Sequence, residues 1–135
     1  MPRKTDSNNP ADWLFIADSD LVGLKALAAQ ELSYEMCHSK LAEVLEKVLK
    51  AELLRLGWRL VKTHDLEILA GELRARGSDL MADVNPLCEV LDEVYFIGRY
   101  PGFDLEDPDW PRLRQRIEAV ARLAVTVKSR LEPRA

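Results

Sequence analysis

Residues 33–57, SYEMCHSKLAEVLEKVLKAELLRLG, decide what kind of fold this chain adopts. Tyr34, Cys37, Leu41, Val44, Val48 and Ala51 recur every three or four residues, and Leu45, Leu49 and Leu56 make a second row beside them. A half-buried strand alternates every second residue; this spacing is helical. An apolar arc this wide belongs to a helix covered on several sides, at the centre of a bundle. The polar remainder is narrow: Ser39, Glu43, Glu46, Lys47 and Lys50. Glu43 with Lys47, and Glu46 with Lys50, stand four apart with the acid first, the favourable order. The helix is expected from about Ser33 to Leu56, with Gly57 as the residue that turns the chain out. His38 is expected at the bundle edge with a local hydrogen bond.

Helical spacing continues on both sides. Before this stretch, Asn9 is a good N-cap and Pro10 suits the first helical position. Trp13, Leu14, Ile16, Ala17, Leu21 and Leu24 form the apolar stripe of a first helix ending near Ala29, with Asp12, Asp18 and Asp20 on its other face. After a link at 58–62, Thr63 can cap a third helix with Asp65 and Glu67 in its first turn, Leu66, Ile68, Leu69 and Leu73 as apolar contacts, and Gly77 as its stop. Ser78 or Asp79 opens a fourth segment. Asn85-Pro86 either kinks that segment or starts a fresh helix within it. It runs to Gly98 and must stop at Tyr100, ahead of Pro101. Residues 102–108 read as a loop, Asp109 as the cap of a last helix, and Leu113, Ile117, Val120, Ala124, Val127 and Leu131 as its core row. The sequence predicts an all-α antiparallel up-and-down four-helix bundle with a short extra helix, one domain over 10–132 behind a flexible segment at 1–9.

Composition agrees with one domain. The chain has 135 residues, of which 47% are hydrophobic and 31% charged, enough for a single core with a solvated surface. Cys37 and Cys88 are far apart and form no CxxC pair, so neither a zinc site nor a disulfide framework is expected, and buried free thiols are. The polar start lacks the apolar core of a secretory signal, and no apolar run approaches the ~20 residues of a membrane span. A cytoplasmic protein with no membrane contact, no cofactor and no metal is expected. The net charge of −4 is unevenly spread: residues 110–135 carry seven basic and two acidic groups.

Three clusters can carry chemistry. In Lys62-Thr63-His64-Asp65-Leu66, a histidine with a carboxylate neighbour can act as a general base, although these residues also suit a helix cap. Arg99-Tyr100-Pro101 can grip phosphate through the arginine, which also stabilises a helix C-terminus without further purpose. Asp104, Glu106, Asp107 and Asp109 crowd one loop, but their spacing is not that of a calcium-binding helix–loop–helix, and a solvated loop leading into a helix is expected. The last helix can meet phosphates, but its cations do not form one stripe, which points to a solvated face.

Taken in order, these pieces resemble the HEPN family (higher eukaryotes and prokaryotes nucleotide-binding domain). The resemblance rests on Trp13-Leu14 with Ala17 and Asp20-Leu21, on Glu46-Lys47-x-x-Lys50-Ala51, on Lys62-Thr63-His64-Asp65-Leu66, and on Arg99-Tyr100-Pro101-Gly102. It extends from about Trp13 to Leu131. It implies a helical bundle, usually a homodimer, that binds nucleotide or a partner, often a minimal nucleotidyltransferase in a toxin–antitoxin couple. Lys47, Lys50, His64, Asp65, Arg99 and Tyr100 are then candidate ligand contacts. Some branches of the family are metal-independent ribonucleases using R-x(4–6)-H. No histidine follows Arg99 at that distance, whereas Arg59 and His64 have the spacing across a loop and are the candidate catalytic pair if RNA is cleaved. Ala42-Glu43 stands where relatives often carry two glutamines.

Overall fold

The computed structural model describes residues 7–97 and 107–131, with the side chains of 93–97 excepted. Five helices and no strands occur among them: α1 (Pro10–Ala29), α2 (Tyr34–Arg55), α3 (Leu66–Ala75), α4 (Met81–Ile97) and α5 (Trp110–Leu131). Side-chain pairs fix the directions. Asp20 meets Lys47 and Trp13 meets Lys50, so α1 and α2 are antiparallel. Asp18 meets Lys128 while Lys25 meets Glu118, so α1 and α5 are antiparallel. Tyr34 touches Trp110 at one end and Glu52 holds Arg130 at the other, so α2 and α5 run parallel. Asp79, just ahead of α4, also binds Arg130, which sets the start of α4 beside the end of α2. This is the expected up-and-down bundle of α1, α2, α4 and α5, with the short α3 packed on α2 and α4. All four other helices touch α2, and Leu41, Val44, Leu45, Val48, Ala51 and Leu53 are fully buried in it.

The helix ends follow local chemistry. The Asn9 side chain accepts from Ala11 N, and Asp109 Oδ1 accepts from Arg112 N at 3.1 Å. After α2, Gly57 N–H donates to Leu54 O and Trp58 N–H to Leu53 O; after α3, Gly77 and Ser78 repeat the pattern on Arg74 and Leu73. This is the Schellman arrangement, which requires positive φ at the glycine, here 89° and 69°. The α1 end makes the same two bonds with Glu31 in the glycine's place, at φ 55°. Trp58, expected in the link, is buried against the core.

Several expectations are corrected. The cap of α3 is Asp65, whose Oδ1 accepts from Glu67 N at 2.9 Å and Ile68 N at 3.3 Å; Thr63 instead accepts from Asp65 N. Ser33 precedes α2 in the left-handed region and its side chain makes no cap bond. Asn85-Pro86 starts no new helix, because α4 runs through it. Pro86 and Ala82 both face solvent, where the carbonyl that loses its donor can be hydrated, while Val84, Leu87, Cys88 and Leu91 anchor the helix on its buried side. Ile16 and Ile68, read as core residues, are 46% and 52% exposed. Glu43 pairs with Lys40 at 2.9 Å and Lys47 with Asp20, in place of the expected Glu43–Lys47 pair.

His38 is the largest departure. It is buried in α2, 4.6 Å from the Tyr34 ring, and neither ring nitrogen has a hydrogen-bond partner among the described residues. Burial, aided by the Arg116 charge, pushes its pKa down to about 4. Among the described residues no helix is long and apolar enough to cross a membrane.

Candidate functional site

The 58–65 link brings His64 back onto the middle of α2. Thr63 and Asp65 tie the backbone into the α3 start, and the histidine between them turns its side chain outward, 74% exposed. Its Nδ1 lies 3.0 Å and 3.2 Å from the two carboxylate oxygens of Glu46. An ionised carboxylate only accepts, so Nδ1 carries the proton and Nε2 of the neutral ring holds the free lone pair. That nitrogen has no hydrogen-bond partner among the described residues.

Glu46 is buried and also accepts from Lys50 Nζ at 3.1 Å. Lys50, buried in turn, sits 5.0 Å over the Trp13 ring. A charge removed from water needs such partners: a carboxylate on one side and the negative face of an indole on the other. The chain His64–Glu46–Lys50–Trp13 therefore links the exposed imidazole to the bundle interior and holds it in one orientation.

A cleft opens beside this imidazole, lined by Ala42, Glu43 and Glu46 of α2, by His64, Asp65 and Leu66, and by Leu91 and Asp92 of α4. Among the described residues its polar lining is mostly carboxylate. Such a surface accepts N–H donors, as on the amino edge of a base or a basic side chain, and repels phosphate. Among the described residues no group of three or more His, Cys, Asp or Glu is arranged to hold a metal ion.

Of the residues singled out in the sequence, Lys50, His64 and Asp65 converge here. Lys50 is spent inside the fold, and Lys47 lies on the α1 side of α2, 3.9 Å from Asp20. Arg59 is exposed in the same link as His64, as is Lys62, and neither has an ion-pair partner among the described residues. Arg99 and Tyr100 lie outside the described residues, as do Asp104 and Glu106. Asp107 is exposed and Asp109 serves as the α5 cap. Glu46 was legible only as a helix-surface pair with Lys50; its place as the anchor of His64, 18 residues away, was missed. The one signal for it was a carboxylate inside the most apolar stretch of the chain.

Three of the six cations of α5 are neutralised by groups elsewhere in the fold. Arg114 donates to Ala28 O and Glu31, Lys128 meets Asp18, and Arg130 binds Glu52 at 2.6 Å and Asp79 at 2.9 Å. Burial raises the pKa of both thiols, that of Cys88 to about 12 with help from Asp92 and Glu67, so neither offers a thiolate.

The family model for the HEPN domain matches residues 10–128. No curated protein and no solved structure matches the chain.

Proposed function

The chain belongs to the HEPN domain family, and from that premise we propose that it is a nucleotide-binding helical module whose site is the cleft at His64. The observation that carries this reading is the open Nε2 of His64 on a ring fixed by buried Glu46. An exposed histidine with no structural duty of its own is costly to orient, and here a buried carboxylate, a buried lysine and a tryptophan orient it. The carboxylates of Glu43, Asp65 and Asp92 suit the amino edge of a base. Arg59 and Lys62, exposed and five and two residues before His64, suit the phosphate. A minimal nucleotidyltransferase, the protein partner implied by the family resemblance, is the candidate for presenting or modifying that nucleotide.

RNA cleavage is the second reading, favoured by the same histidine–carboxylate pair, which is the arrangement of a general base held in its working tautomer. His64 Nε2 would take the proton of a ribose 2′-hydroxyl. The 2′-oxygen then attacks phosphorus, and the 5′-oxygen leaves with a proton from solvent. Arg59 or Arg99 stabilises the charge that develops.

Titration calorimetry with the common nucleotides, and incubation with mixed RNA without added metal, separate the two. Binding by the wild type that is lost in His64→Ala and Glu46→Gln, with RNA left intact, supports the module. RNA cut by the wild type and spared by His64→Ala and Arg59→Ala supports the nuclease. A folded protein that does neither overturns both.

A further inference from the structure

The cleft at His64 stands apart in what its side chains can do. Three other clefts, lined by Arg74, by Arg55 with Arg130, and by Arg122, each carry a guanidinium. Among the described residues of the His64 cleft, no side chain offers a hydrogen to a ligand. Its polar members are four carboxylates and an imidazole whose one N–H is turned to Glu46.

Two of these acceptors are open. Glu43 is taken up by Lys40, and Glu46 by Lys50 and His64. Asp65 commits only Oδ1 to the α3 cap, where Glu67 N–H and Ile68 N–H donate to it. Its Oδ2 has no hydrogen-bond partner among the described residues, and neither has His64 Nε2, which carries a lone pair. Two open acceptors thus stand on consecutive residues at one cleft of about 220 Å³. Ala42, Leu66 and Leu91 give that cleft an apolar floor.

Such a cleft sorts the bases by their base-pairing edges. Adenine and cytosine each set a ring-nitrogen lone pair beside the amino group, and uracil sets its one N–H between two carbonyls. Turned into this cleft, each of them brings an acceptor against acceptors, and an acceptor left unpaired away from water costs affinity. Guanine alone sets two donors side by side, N1–H and an amino hydrogen on N2. One can donate to Asp65 Oδ2 and the other to His64 Nε2. The acceptor on that edge, O6, stands at its end, where water can reach it.

We propose that the His64 cleft selects guanine among the bases, with Asp65 and His64 as the residues that read it. The proposal rests on the reading of this cleft as a nucleotide site and adds which base it takes.

Titration calorimetry with GMP, IMP, AMP, CMP and UMP, together with thermal melts, tests it. GMP is expected to bind about tenfold tighter than IMP, which lacks the 2-amino group, and to exceed AMP, CMP and UMP by more than that. Asp65→Asn keeps the α3 cap, because asparagine caps as well as aspartate. The two backbone N–H groups then hold the amide oxygen, and the amide NH2 stands where Oδ2 stood. This variant should melt with the wild type and lose the preference, with GMP weakened about tenfold and AMP not weakened. A wild type that binds these nucleotides alike overturns the selectivity and leaves the nucleotide site standing, and so does an Asp65→Asn variant that still prefers GMP. Arginine amide bound as tightly as GMP, and released by His64→Ala, marks a site for a cationic side chain and overturns the proposal. A protein that binds no nucleotide overturns it together with the nucleotide reading.

Discussion

Two glutamates of α2, six residues apart and both buried, are used in opposite ways. Glu52, 1% exposed, is closed off by two guanidiniums: Arg55 donates to it at 2.5 Å and 3.1 Å, and Arg130 at 2.6 Å while also holding Asp79. This network ties together the C-terminal ends of α2 and α5 and the start of α4. Glu46 is held by Lys50 on one side, and on the other it ends in an imidazole that is mostly in solvent. In the first arrangement both carboxylate oxygens are taken up by guanidiniums. The second presents one unfilled nitrogen at a cleft. Burial of a charge is thus no mark of function by itself; what the last partner leaves open is.

The comparison breaks most visibly at Glu52. Glu52→Ala leaves two arginines facing each other without their shared carboxylate, and a loss of about 3 to 5 kcal/mol is expected in urea or thermal unfolding, with any ligand affinity of the folded fraction unchanged.

His38, another buried polar group of α2, sharpens it from the other side because neither ring nitrogen has a hydrogen-bond partner among the described residues. The ring is neutral in the fold, with its pKa near 4 against an ordinary 6.5. Above pH about 6.5 the folded and unfolded chains are both neutral here. As pH falls from there to about 4 the unfolded chain takes up the proton first, so stability falls with pH across that window, and the loss is complete below it. The full effect is on the order of 3 kcal/mol. His38→Leu should flatten this part of a stability-against-pH curve.

Glu46→Ala should cost about 2 to 3 kcal/mol, because it strands buried Lys50, and unlike Glu52→Ala it should also abolish nucleotide binding. His64→Ala is the smallest in stability, below about 1 kcal/mol for an exposed bridge, yet it should match Glu46→Ala in binding. If His64→Ala instead unfolded the protein, or if Glu46→Ala left binding intact, the division between a closed and an open glutamate would fail.

The bundle was legible in the sequence because its signals are local. Asn9, Asp109, Gly57 and Gly77 act on backbone groups within a turn of themselves, and the apolar rows of α2 and α5 need only helical periodicity to be read. The errors arose where a local rule met a nonlocal neighbour. At Pro86 the local rule left two readings open, and buried contacts on both sides of it hold α4 as one helix. Lys47 pairs with Asp20 on α1, across the helix interface.

The site divides along the same line. Lys50, His64 and Asp65 were singled out from sequence, since a histidine beside a capping aspartate is visible as a string of letters. The sequence by itself determined five helices, their order and most of their ends, through hydrogen bonds and contacts that span a few residues. Only the tertiary structure decided that Glu46 rather than Asp65 anchors His64, that Lys50 faces inward, and that Arg114, Lys128 and Arg130 of α5 are paired with acids elsewhere in the fold. Each of these depends on which side chains from distant parts of the chain share a volume closed to water, where a charge keeps the partner it is given.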